Sequence, residues 1–106
     1  MASTEKQFTN FMGSRMTLDD IKDKVPSSIR LIPDDDADSI DVIVYGTYTG
    51  YLYITPDGVY FRTLWTSISN SDDYPRISKF LSYFKYDLLI TVGYHRHFYQ
   101  IFRLIK

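Results

Sequence analysis

The chain has 106 residues and no cysteine, which leaves room for one hydrophobic core and excludes disulfide frameworks, zinc fingers and thiol chemistry. Its 44% hydrophobic and 24% charged residues exclude the composition of a disordered segment, and the 17% aromatic residues, ten of them tyrosine, favour strands. The net charge of −1 conceals an asymmetry: residues 1–75 hold six Lys/Arg against twelve Asp/Glu, whereas residues 76–106 hold six against one, Asp87.

Residues 1–14 are polar with Phe8, Phe11 and Met12 as isolated anchors, and residues 1–16 are read as an N-terminal arm ahead of one domain over 17–106. The chain opens without a basic start and apolar run, and no apolar stretch is long enough for a bilayer. A cytoplasmic protein with no membrane partner is expected. Thr17-Leu18-Asp19-Asp20 forms a capping box, and Leu18, Ile21 and Val25 share a face, so a helix over about 18–24 is expected, with Pro26 ending it.

Ser28 to Ile32 reads as a brief strand, and Pro33-Asp34-Asp35-Asp36-Ala37-Asp38 as a solvated loop, because a core does not take that many carboxylates. Ile40 to Tyr48, Tyr51 to Thr55 and Val59 to Trp65 then read as a three-stranded meander broken at Gly50 and at Pro56-Asp57-Gly58. Pro56 presets φ, Asp57 suits the second turn position, and Gly58 fits the left-handed position of a three-residue turn. Thr55 would then pair with Val59, placing Tyr51, Tyr53, Phe61 and Trp65 on one face and Leu52, Ile54, Tyr60 and Leu64 on the other.

Ser71-Asp72-Asp73 supplies caps for a helix reaching about Tyr86, with Ile77, Phe80, Leu81 and Phe84 as its buried stripe and Arg76, Lys79 and Tyr83 on the wet side. Leu88 to Tyr94 and Phe98 to Ile105 read as two further strands joined near His95-Arg96. The expected architecture is α+β: an antiparallel β-meander plus a C-terminal hairpin, with one or two helices packed on a sheet face.

Catalytic patterns are scarce. Asp34, Asp36 and Asp38 repeat the alternating carboxylates that open a calcium loop, but Ser39 and Tyr45 stand where that motif needs Gly and a bidentate Glu. His95 and His97 share a side of an extended segment and could serve a small metal-dependent nuclease, yet two ligands do not make a site. Nucleotide-binding glycine loops, zinc-protease and serine-hydrolase signatures are missing, and Val59 to Trp65 holds no Glu-x-Lys of a nuclease strand. No cofactor is expected.

The leading expectation is a non-catalytic protein-binding module that occupies a partner's surface, a role that suits a virus- or phage-encoded inhibitor of a host protein. Asp34, Asp35, Asp36 and Asp38 would meet a basic partner surface, and Tyr48, Tyr51 and Tyr53 would anchor it. The alternative is single-stranded nucleic-acid binding, with Tyr51, Tyr53, Phe61 and Trp65 as stacking platform and Arg62, Arg96, Arg103 and Lys106 as the cationic side. An exposed edge at Phe98 to Ile105 would allow a homodimer.

Overall fold

Thr17 opens the first helix, α1 (Leu18–Lys24), with the expected capping box. Its Oγ1 accepts the Asp20 N–H at 3.2 Å, and the Asp20 carboxylate accepts the Thr17 N–H at 2.9 Å. Two donors that a helix start would leave orphaned are thereby satisfied. The computed structural model describes residues 16–34, 39–63, 66–67, 73–94 and 97–105. After α1 come β1 (Ile29–Asp34), β2 (Ser39–Val44), β3 (Thr47–Thr55), β4 (Gly58–Thr63), β5 (Thr66–Ser67), α2 (Asp73–Leu81), β6 (Lys85–Tyr94) and β7 (His97–Ile105).

All pairings are antiparallel. β7 pairs with β6 along its whole length, so β4 and β5 must both lie on its other side. The sheet is therefore six strands across, in the order β1, β2, β3, β4 with β5, β7, β6. β4 and β6 run parallel, joined through α2, and β7 drops into the gap between them as in a split β-α-β unit. Where β4 hands over to β5, the buried Thr63 hydroxyl accepts the Gln100 N–H at 2.9 Å and keeps β7 bonded across the break.

Both described helices pack on one face. Ile21 of α1 and Ile77, Phe80 and Leu81 of α2 join Val42, Val44, Leu52, Val59, Phe61, Phe102 and Leu104 in a single buried cluster. Phe61 meets Phe80 with ring centroids 4.6 Å apart, and Phe80 meets Phe84 at 5.1 Å. The fold is α+β with a C-terminal hairpin, as composition and spacing lead one to expect, and the stripe Ile77, Phe80, Leu81, Phe84 is buried throughout. Met16, just before the cap, is buried in the same cluster; the rest of the N-terminal arm lies outside the described residues.

Several boundaries differ from the expectation, each for a local reason. β1 runs through Pro33 and Asp34, which pair with Ile40 and Ser39, so only residues 35–38 separate the two strands. An edge strand tolerates proline because one of its sides needs no N–H. The first meander break falls at Tyr45-Gly46 and not at Gly50: φ of +53° and +77° give the two left-handed positions of a tight hairpin turn. Gly50 instead sits inside β3, where a Cβ would come within 2.6 Å of the Phe61 ring and would also strike the Arg62 carbonyl.

The second break closes one residue tighter than expected. Thr55 pairs with Gly58, not Val59, leaving Pro56-Asp57 as the whole turn. The Thr55 hydroxyl enforces this closure: it donates to the Gly58 carbonyl at 2.9 Å and accepts the Asp57 and Gly58 N–H groups at 3.2 Å. Gly58 takes φ +155°, and Arg103 reaches past it to donate to the Asp57 carbonyl at 3.1 Å. The slip exchanges faces. Tyr53 stands opposite Tyr60 and Leu52 opposite Phe61, so Phe61 belongs to the core and Tyr60 to the other face.

α2 ends at Leu81, well short of Tyr86, with Tyr83 and Phe84 N–H groups bonding the Phe80 and Leu81 carbonyls in a closing turn. Tyr86 already lies in β6, edge-on to Phe102 at 5.5 Å. Phe98 to Ile105 is not an exposed edge, because β7 is paired on both sides; among the described residues the edge at this end of the sheet is β6.

Candidate functional site

Strand alternation, inverted within β3 where the extra residue Thr49 shifts the register opposite Val42 and Ile43, builds a second sheet face, opposite both described helices. β3 contributes Tyr48, Tyr51 and Tyr53, β4 contributes Tyr60 and Arg62, and β7 contributes Tyr99, Ile101 and Arg103. Register sets their neighbours: Tyr51 faces Arg62, Tyr53 faces Tyr60, and Tyr60 faces Arg103. Tyr51, Tyr53, Tyr60, Arg62 and Tyr99 are half-buried, while Tyr48 and Arg103 are exposed.

Arg62 is the hub. Its guanidinium carbon lies 4.3 Å from the centre of the Tyr99 ring, and its Nε, shielded from solvent, has no hydrogen-bond acceptor among the described residues. The ring supplies electrostatic compensation that an acceptor would otherwise give. Asp41 faces Tyr51 on the β2 side and Asp87 faces Arg103 on the β6 side, so carboxylates bracket the arginine and tyrosine strip. The face is of mixed charge.

Of the residues expected to form a site, the structure brings Tyr48, Tyr51, Tyr53 and Arg62 to this one face. Asp34 is exposed at the end of β1, and alternation places it on the same face. Asp35, Asp36, Asp38, Trp65, His95, Arg96 and Lys106 lie outside the described residues, and His97 opens β7 opposite Tyr94. Phe61 is withdrawn from the platform because it is buried under α2. Tyr60, which the three-residue turn set on the face opposite to Tyr51 and Tyr53, and Tyr99, which sequence reading missed, complete the face. A two-residue turn would have indicated Tyr60, and the i, i+2, i+4 run Tyr99, Ile101, Arg103 would have indicated Tyr99.

Among the described residues no group of three His, Cys, Asp or Glu side chains is placed to hold a metal. A cleft of about 240 Å³ between α1 and β1 is lined by Lys22, Val25, Pro26, Ser27, Ile29 and Leu31, a mainly aliphatic wall with one ammonium. On α2, hydrogen bonding to Tyr83 holds the Lys79 ammonium above the ordinary lysine value. That direction keeps the lysine charged, opposite to what a lysine nucleophile or base requires. No described helix is long and apolar enough to cross a membrane. No protein-family model, curated protein or solved structure matches the chain.

Proposed function

We propose that this chain is a non-catalytic protein-binding module that docks a partner through the second sheet face. The observation that carries the reading is the gathering of Tyr48, Tyr51, Tyr53, Tyr60, Tyr99, Arg62 and Arg103 on the face opposite both described helices. Tyrosine and arginine make large contacts at a modest entropic cost and dominate interface hot spots. Strand backbones hold these side chains in place, so little ordering is left for the moment of binding. Asp34 adds negative charge at one end of the face and selects a partner with a basic rim. Blocking a surface by occupancy needs no catalytic residue, which is how an inhibitor of a host protein would work.

Single-stranded nucleic acid is the second reading, favoured by arginines interleaved with tyrosines on one face. Asp41 and Asp87 oppose it, because a phosphate backbone crossing the strip meets carboxylates on both sides. The two separate in one comparison. Tagged wild-type protein and a Tyr53→Ser/Tyr60→Ser variant are used to capture partners from the source cell, and both are titrated with labelled oligonucleotides at low and high salt. A protein retained by the wild type and lost by a variant of unchanged fold supports docking through this face. Salt-sensitive oligonucleotide binding that the variant loses would replace it with the second reading.

A further inference from the structure

The two edges of the sheet are built differently. β1 is six residues long, carries Pro33, which has no N–H, and places Arg30 and Asp34 along its length. Those are the usual devices against edge pairing. β6 is ten residues long and has none of them in its centre, where Leu88, Leu89 and Ile90 are 51%, 52% and 48% exposed. Tyr86 at 46% and Ile105 at 38% extend the apolar strip towards the strand's start. Among the described residues β6 pairs with β7 alone.

We propose that β6 is a dimerisation edge, on which a second copy of this chain pairs its own β6 antiparallel, about a two-fold axis normal to the sheet. Charge selects a second copy over an acidic or basic partner: the only charges on β6 are Lys85 and Asp87, both at its start, and the strand is neutral from Leu88 to Tyr94. Antiparallel self-pairing sets the charged start of each strand against the neutral end of the other, so no like charges meet.

The bulge in β6 then selects a register. Tyr86 and Leu88 stand opposite Leu104 and Phe102, on the helix face. Beyond the bulge at Leu89 the alternation inverts, and Thr91 and Gly93, opposite Gln100 and Phe98, lie on that same face. An antiparallel partner keeps faces matched when Tyr86 meets Gly93, Asp87 meets Val92, Leu88 meets Thr91 and Leu89 meets Ile90. The space above Gly93 fits this pairing, since a Cβ there would touch nothing within 4 Å. Tyr86 of the second copy can lay its ring over the glycine, as aromatic side chains do across antiparallel pairs.

Sedimentation velocity of the full chain across micromolar concentrations tests the proposal. Wild type is expected to shift with concentration to twice the 12.5 kDa chain mass. Leu89→Lys/Ile90→Lys and Leu89→Glu/Ile90→Glu, each at exposed positions, are expected to remain monomeric with unchanged circular dichroism, and to melt independently of concentration where wild type gains stability as it dimerises. An equimolar mixture of the two is expected to regain the dimer, because Leu89 faces Ile90 across the axis. Hydrogen exchange on wild type gives an independent reading: β6 amides should be protected at high concentration and lose protection on dilution. Wild type sedimenting as a monomer throughout, a dimer surviving in a folded lysine variant, or a mixture that stays monomeric overturns the proposal.

Discussion

Arg62 on β4 and Tyr99 on β7 are diagonal neighbours on the second face, with the guanidinium 4.3 Å from the ring centre. Because the Arg62 Nε is shielded and lacks an acceptor among the described residues, the ring is its principal electrostatic partner on that side. Arg62→Lys and Tyr99→Leu are each expected to lower stability, and a double-mutant cycle by urea unfolding should give a coupling of about 0.5–2 kcal/mol. Lysine would not substitute fully, since it lacks the planar guanidinium that stacks on a ring.

Gly50 is a steric requirement inside β3. A Cβ there would lie 2.6 Å from the Phe61 ring, and the ring is fixed in turn by Phe80 at 4.6 Å. Gly50→Ala should therefore destabilise the fold by about 1–3 kcal/mol, the usual range for overpacking. The measurement is a thermal melt. Equal or higher stability for the alanine variant would show that both the Phe61 ring and the Arg62 carbonyl can give way.

Some of this architecture was legible because its signals are local. The Thr17/Asp20 box and the Ile77, Phe80, Leu81, Phe84 stripe need only a few neighbouring residues to be read, and both stand as expected. The end of α2 was not legible, since Phe84 keeps helical spacing after the backbone has turned. The faces of the meander were lost to a single residue: Pro56-Asp57-Gly58 suits both a two- and a three-residue turn, and the Thr55 hydroxyl decides between them. Edge or interior position was illegible for β6 and β7, because an apolar run does not reveal how many neighbours it has.

Thr55→Val keeps shape and removes the hydroxyl that donates to the Gly58 carbonyl and accepts two backbone N–H groups. Removing a hydrogen bond of this kind lowers stability by about 0.5–1.5 kcal/mol. The expected outcome is a loss in that range in urea unfolding, with the Asp57 and Gly58 amides exchanging faster. Unchanged exchange at both amides would mean that Pro56 alone sets the turn.

Tyr45 occupies a left-handed position at φ +53° with its side chain exposed, so its ring gives little packing in return for the strain. Asparagine adopts this conformation more readily and precedes glycine in the favoured two-residue hairpin turn. Tyr45→Asn should raise stability by about 1 kcal/mol, part of the left-handed penalty that asparagine escapes. A higher denaturation midpoint with an unchanged slope is the signature sought.

Phe61 and Tyr60 are sequence neighbours on opposite faces, and substitution should separate their roles. Phe61 is fully buried between Phe80 and Phe102, with centroids at 4.6 Å and 6.4 Å, so Phe61→Ala should remove about 3–5 kcal/mol and threaten folding. Tyr60 is half-buried between Tyr53 and Arg103 on the second face, and loses only cross-strand contact when truncated. Tyr60→Ala is expected to stay folded, with a loss of about 0.2–1 kcal/mol, while weakening partner capture. Thermal melts of both variants beside wild type decide the matter, because the three-residue turn would reverse their order: the greater loss would then fall on Tyr60.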